Sequence, residues 1–420
     1  MKTNKSTGRF DNRILFLCLA VLILSIAIDV VVQGKTPDAG VLNESAQVVE
    51  TGSPVQIIKA SDWQSKYPDE YASYMRNEEN SEVVDYVAEY PIIATIYEGN
   101  AFGKFYSSAR GHSFTVEDVA ETGRPHPQAK CITCKTPDFT VLANADGVSA
   151  YTLDFNETIA KMTQPISCYS CHGNTGNQLV VTHTYLADAM GKDLTNVDPA
   201  VLSCGQCHVE YYFSTTDQST TLPYTSLATM TPDDMLKFYN EIGFADYTNP
   251  RTGTQQLKAQ HPEFETFMGA GSAHAGLLTC ADCHMGELSS DRGYGTGTYS
   301  DHYLVSPLEK PELLKTCARC HGSTDMAEKV RAIQGEVEAR TLEVGAKLVD
   351  LTNALADAVE SGALSEEKLN EIRALNRDAQ FYWDFVFVEN SEGAHNSALS
   401  YDCMDKSEAL IDQAMALLDK

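Results

Sequence analysis

Cys204-Gly205-Gln206-Cys207-His208-Val209-Glu210-Tyr211-Tyr212-Phe213 is the stretch on which the reading of this chain turns. Its first five residues spell C-x-x-C-H. The same pattern returns as C-Y-S-C-H at 168–172, C-A-D-C-H at 280–284 and C-A-R-C-H at 317–321. A fifth pair, C-I-T-C-K at 131–135, ends in Lys135. The chain has 12 Cys and 11 His in 420 residues. A shuffled sequence of that composition would hold roughly 0.01 C-x-x-C-H strings, so chance does not produce four. Two thiols three positions apart can each bond one vinyl group of a porphyrin, and the next His is then placed to ligate the iron. Zinc would use paired cysteines too, but would not require a His directly after the second one four times.

The fifth pair, Cys131 and Cys134 with Lys135, would read as a redox dithiol if it stood alone. Beside four haem motifs it reads as a fifth haem with a lysine amine as axial ligand. A lysine must lose its proton to ligate, which needs a shielded site. Such an exceptional ligand points to the haem that does chemistry. Four histidines lie inside motifs: His172, His208, His284 and His321. Relay haems take two strong axial ligands, so four more are needed. Seven remain, at 112, 126, 183, 261, 274, 302 and 395.

The balance of 58 acidic against 31 basic residues gives a formal charge of −27. That excludes a nucleic-acid partner, which needs clustered Lys and Arg. Lys2, Lys5, Arg9 and Arg13 precede an uncharged run from Ile14 to Ile28. Residues 1–33 therefore read as a signal peptide or an N-terminal membrane anchor, and the working protein as exported. Cys18 sits in this leader, and Cys403 reads as a reduced structural cysteine.

Residues 34–325 read as the haem-bearing catalytic core, and 100–325 are turn-rich, as a core built around haems would be. Residues 326–420 change character. Val330, Ile333, Val337, Val344, Leu348, Leu351 and Leu355 predict a helix near heptad spacing that ends around Ser361-Gly362. A second helix is predicted from Ser365 with Leu369, Ile372 and Leu375 on one face, and a last one from about Ser407 to Leu418. Such stripes fold back within the chain or pair between subunits. The fold class is thus mainly α: a multihaem cytochrome c fold with a haem-packed core, few short strands and long C-terminal helices.

From about Trp63 to His395 the sequence resembles the pentahaem cytochrome c nitrite reductases, which form ammonium from nitrite. The motif order (Lys-type first, then four His-type) carries the resemblance. So do Trp63-Gln-Ser-Lys-Tyr-Pro with Tyr71 and Tyr74, Arg110-Gly-His112, C-G-Q-C-H-V-E-Y-Y-F at 204–213 and K-A-Q-H-P-E at 258–263. The resemblance implies five haems c, on Cys131/Cys134, Cys168/Cys171, Cys204/Cys207, Cys280/Cys283 and Cys317/Cys320. It implies Lys135 as proximal ligand of haem 1, whose distal face is the active site. It pairs His302 with His172 on haem 2, His112 with His208 on haem 3, His395 with His284 on haem 4 and His274 with His321 on haem 5. The implied catalytic residues are Arg124, Tyr211 and His261, together with Lys135. A calcium ion is implied on the Glu210 carboxylate, the Tyr211 and Lys258 carbonyls and the Gln260 side chain. All-oxygen ligands suit that hard cation.

The implied reaction is six-electron reduction of nitrite on the periplasmic side of the membrane. A quinol-linked cytochrome would supply electrons, and the chain would pair as a homodimer through the long helices of 326–420, a region that also carries one distal haem ligand, His395. The rival readings are an electron-relay cytochrome without a substrate, and a related reductase acting on hydroxylamine or sulfite. Lys135 and the surplus His261 speak against the relay. His126 and His183 receive no role.

Overall fold

In the computed structural model, which describes residues 46–290 and 297–419, the motif region turns helical only in short stretches. These include α1 (Pro137–Asp146), α2 (Cys168–His172), α3 (Pro199–Gly205), α4 (Glu263–Met268) and α5 (Cys280–His284). The expected leader, 1–33, and Cys18 lie outside the described residues. Local chemistry explains the shortness. Gly173, Gly286 and Gly322 follow three of the motifs with φ of 55°, 77° and 62°. A left-handed residue ends a helix, and glycine adopts it without a Cβ penalty. At the start of α5, Thr279 caps the Asp282 amide while the Asp282 carboxylate accepts the Thr279 amide at 2.7 Å. One turn of helix therefore presents both thiols and the following His on one face. The strands are four two-stranded pieces, of two or three residues per strand.

Three long helices close the chain: α6 (Met326–Ser361), α7 (Glu366–Phe387) and α8 (Ser397–Leu418). Asp325 caps the start of α6, and Gly362 at φ 61° ends it where the sequence places its end. Ser365 caps α7. The last helix begins well before the expected Ser407. Asn396 accepts the Leu399 amide, and Ser400, Cys403 and Met404 are buried within the helix. Cys403 is a buried free thiol.

The apolar stripe of α6 is used inside the chain. Val337, Val344, Leu348, Leu351 and Leu355 are all at most 2% exposed. They belong to the same core cluster as Ile372, Phe381, Trp383 and Phe385. Gly345 permits the close approach: a Cβ there would lie 2.7 Å from Ile92 Cδ1 and 2.9 Å from Trp383 Nε1. Burial on this scale contributes roughly 1.5–3 kcal/mol per large side chain. One compact unit runs from Ser45 to the C-terminus, so the 326–420 helices share a unit with the motif region.

Outside the core, Glu408 on α8 meets Arg340 and Lys347 on α6. Hydrogen bonds from Arg340 and then Lys347 hold its carboxyl down at about 2. A carboxyl depressed on folding contributes stability above its unfolded value, and loses it as pH falls through the folded value. Thermal melts should show wild type losing more stability than Glu408→Gln between pH 6 and pH 2. High salt should shrink the difference. Equal acid sensitivity would remove the contact from the stability balance.

Candidate active site and haem-binding residues

The four motif histidines each face a second histidine across a short gap. Ring centroids are 6.2 Å apart for His112–His208 and His172–His302, and 6.1 Å for His284–His395 and His274–His321. A ligating nitrogen sits about 2 Å from its metal and about 1.2 Å from its ring centre, so two trans imidazoles put their centroids about 6.3 Å apart. The spacing fits one iron between each pair. Burial pulls His112 and His284 down to about 4, which keeps them in the neutral form that ligation requires.

The other ring nitrogen of these histidines is held in most cases. His172 Nδ1 meets Gln178 O at 2.9 Å, His284 Nδ1 meets Val305 O at 3.1 Å and His302 Nδ1 meets Ser300 O at 2.8 Å. Two others face carboxylates. His395 Nδ1 lies 2.6 Å from Glu389 Oε1, and His208 Nδ1 lies 3.8 Å from Glu263 Oε2. Burial opposes protonation of both, yet the carboxylates hold them above the usual histidine value. Such partners fix a ring and raise the basicity of a ligand. Neither Glu389 nor Glu263 was marked in the sequence. Glu263 closes the K-A-Q-H-P-E string and Glu389 stands six residues before His395 in E-N-S-E-G-A-H, neither spacing by itself a signal.

The thiol pairs abut in a definite order. Cys134 and Cys207 Sγ lie within 4.8 Å of each other and of a His183 ring nitrogen. Cys204 is in electrostatic contact with Cys280 and Cys171, and Cys283 with Cys317. The first and third attachment sites therefore abut, as do the third and fourth, while the second lies within electrostatic reach of the third and the fourth of the fifth. His183 is buried, stacked on Tyr185 at 5.2 Å. His126 is an exposed loop residue at φ 53°.

Cys320 is exposed, whereas the other nine motif thiols are half-buried. Its neighbours Ala318, Arg319, Gly322 and Ser323 are exposed as well. The fifth pair thus lies at the protein surface, and a thioether at Cys320 would stand at its rim. His321 still faces His274 at the spacing of the other pairs, so the axial geometry does not share the departure.

Around Cys131–Lys135 the surroundings differ. Arg124 donates from Nε to Thr122 Oγ1 at 2.9 Å, and its guanidinium lies 4.5 Å from the Phe102 ring centre. Among the described ion pairs it has no carboxylate partner. Tyr211 stands within electrostatic reach of Cys134, Cys131, Arg124 and Glu210, and burial keeps its hydroxyl protonated. His261 is in reach of Glu263, Lys135, His208 and Lys258, and burial pulls it down to about 4. Its Nδ1 is buried without a hydrogen-bond partner. Lys135 O accepts from Thr115 Oγ1 at 2.7 Å, which ties the motif to the loop after His112.

Beside this group, Glu210 is 1% exposed. Its Oε2 accepts the Gln260 amide at 2.6 Å and its Oε1 accepts the Tyr239 hydroxyl at 2.9 Å. Gln260 Nε2 meets Lys258 O at 2.7 Å. Turning that amide over aims its oxygen into the same corner. Burial pushes Glu210 well above the carboxylate range and Glu265 to about 8. Lys258 is the buried ammonium among them, and it pairs with Asp384. A further cation would relieve this surplus of buried acid, and the oxygen donors present suit calcium.

Paired thiols on short turns and facing histidines define a multihaem c-type cytochrome. A family model described as cytochrome c552 matches residues 59–420. The cytochrome c nitrite reductase subunit NrfA of Nitratidesulfovibrio vulgaris (strain Hildenborough) is 29% identical over 428 aligned positions, covering 88% of this chain and 80% of its own. The solved catalytic subunit of cytochrome c nitrite reductase from Desulfovibrio desulfuricans, described with two calcium sites, superposes with a TM-score of 0.76. It is 25% identical and covers 86% of either chain. The chain belongs to the cytochrome c552 family, and the relatives it matches there are cytochrome c nitrite reductases.

Proposed function

We propose that the protein reduces nitrite to ammonium in six electrons, with Arg124, Tyr211 and His261 grouped around Cys131–Lys135 as the active site. The observation that carries this is the group itself: a guanidinium with no carboxylate partner among the described residues, a half-buried phenol and a buried imidazole nitrogen without a hydrogen-bond partner stand around the one motif that ends in lysine. A relay haem has no use for such a set.

Held by Cys131, Cys134 and Lys135, haem 1 would supply the iron that takes the nitrite nitrogen and passes on the electrons. Arg124 binds the anion and offers donors to its oxygens as charge develops there. The protonated Tyr211 donates a hydrogen bond at low dielectric. His261 hands protons to the departing oxygens, which leave as water. The four histidine pairs, with Cys168/Cys171, Cys204/Cys207, Cys280/Cys283 and Cys317/Cys320, would hold four further haems, whose chemistry would be electron supply.

Calcium on Glu210, Tyr211, Lys258 and Gln260 would fix the two segments that carry Tyr211 and His261. Chelation should therefore lower turnover much more than it lowers haem content per chain, and added calcium should restore it. Parallel loss of haem and turnover would make the ion purely structural. The basic-then-apolar leader supports export to the periplasmic side, with a quinol-linked cytochrome as donor and the leader as signal or anchor. Among the described residues, no helix is long and apolar enough to cross a membrane.

The test is a reduced-dye assay run side by side with nitrite, hydroxylamine and sulfite. Nitrite should be consumed with about six dye equivalents each. Rapid dye oxidation with sulfite and none with nitrite would overturn the proposal.

A further inference from the structure

The segment 255–259 runs along a buried polar stripe of α7, and the rungs follow one another in order. Arg377 Nη1 donates to Gln255 O at 2.6 Å. Asn376 Oδ1 accepts from Gln256 Nε2 at 2.7 Å, and Gln380 Nε2 donates to Leu257 O at 3.3 Å. Asp384 Oδ2 accepts the Ala259 amide at 2.7 Å, while its Oδ1 takes Lys258 Nζ at 3.2 Å and the Tyr97 hydroxyl. Asn376, Gln380 and Asp384 are four residues apart and at most 1% exposed. From Asn376 to Asp384 a helix advances about 12 Å. From Gln256 to Ala259 an extended chain advances about 10 Å. The two repeats match well enough for helix and segment to be bonded in register.

The register ends on a second pattern. The amides of Lys258, Ala259 and Gln260 each donate to a different carboxylate: Asp246 at 2.8 Å, Asp384 at 2.7 Å and Glu210 at 2.6 Å, the last two of them buried. His261 follows directly. Apolar packing alone would fix this segment's depth but not its position along the helix. Bonds to successive residues fix both.

We infer that α7 is a template for the active-site segment, with Asp384 and Gln380 as positioning residues that set where His261 and Gln260 stand. The functional side of this rests on the proposed role of His261. Asp384 touches neither the trio nor the nitrite it would bind. It acts through the Ala259 amide and the Lys258 ammonium, two residues and three residues before the imidazole. Displacing a proton donor by about 1 Å can cost about a hundredfold in rate, so the effect belongs in kcat.

The experiment uses the haem-loaded full chain carrying Asp384→Asn or the milder Gln380→Met. Amide hydrogen exchange across 257–261 should quicken in both, with exchange in α6 and α8 unchanged. With nitrite, kcat should fall about tenfold or more, with KM within about threefold. Wild-type exchange across 257–261 would overturn the template. So would quickened exchange spread evenly over α6, α7 and α8, which would mean general destabilisation. If Asp384→Asn does not fold, Gln380→Met carries the same two readouts. Should wild type show no nitrite turnover, the functional reading fails, while the exchange result still decides the template.

Discussion

Replacing His261 with asparagine is expected to lower kcat for nitrite by about 10²–10⁴-fold, the range of a lost general acid. KM should stay within about threefold and haem per chain should not change, because Arg124 still binds the anion. Asparagine keeps a donor near the same place but cannot give up its proton. The structure makes the position specific. His261 carries a buried ring nitrogen without a partner, and burial holds it at about 4, hence neutral before substrate arrives. A variant with intact kcat would remove His261 from proton delivery and leave Tyr211 or water as the source. A variant with raised KM and intact kcat would move His261 to binding.

Lys135→His carries the second large effect. It turns C-I-T-C-K into a fifth C-x-x-C-H, so haem attachment should persist at the same stoichiometry. Turnover should fall by about 10–100-fold or more, the range for disturbing the set of groups that tunes a metal. An amine is a single donor that must be deprotonated, whereas an imidazole ligates in its neutral form and passes its second nitrogen to a further partner. The haem-1 spectrum should become that of its neighbours. Unchanged turnover in a fully loaded variant would show that Lys135 is not part of the chemistry.

The sequence carried the chemistry well because that chemistry is local. Two thiols and a ligand fit in one turn of chain, and spacing alone exposes them. Spacing does not tell how deep each motif lies, which is why exposed Cys320 reads the same as half-buried Cys207. The long helices were visible for a similar reason, since Gly362 and Ser365 mark their ends at the residues themselves. What stayed hidden depends on partners far apart in the chain. The polar stripe Asn376, Gln380 and Asp384 breaks the apolar pattern of α7, so periodicity picked out Leu369, Ile372 and Leu375 and passed over it. Its partners sit 120 to 125 residues away, in a segment with no period of its own. The early start of α8 was missed because Asn396 follows His395 immediately, in a stretch read for its ligand and not for its cap. The α6 stripe was read correctly as apolar, but pairing within and between chains leave the same trace in a sequence. Burial of Val344, Leu348, Leu351 and Leu355 against the other helices shows which partner it has.

The charge also takes on meaning in three dimensions. At −27 overall, the protein repels an anion from most of its surface. Arg124 and Lys258 both lie against Phe102, at 4.5 Å and 5.3 Å from its centre. With the proposed calcium on Glu210, Arg124 would supply a positive patch beside Cys131–Lys135.

The most direct test of the central claim is to give the reduced, haem-loaded protein ¹⁵N-nitrite and follow the label by NMR. About one ¹⁵N-ammonium per nitrite consumed is the expected result. Nitrite that binds but yields no labelled ammonium, or that stops at a less reduced nitrogen species, would contradict the account.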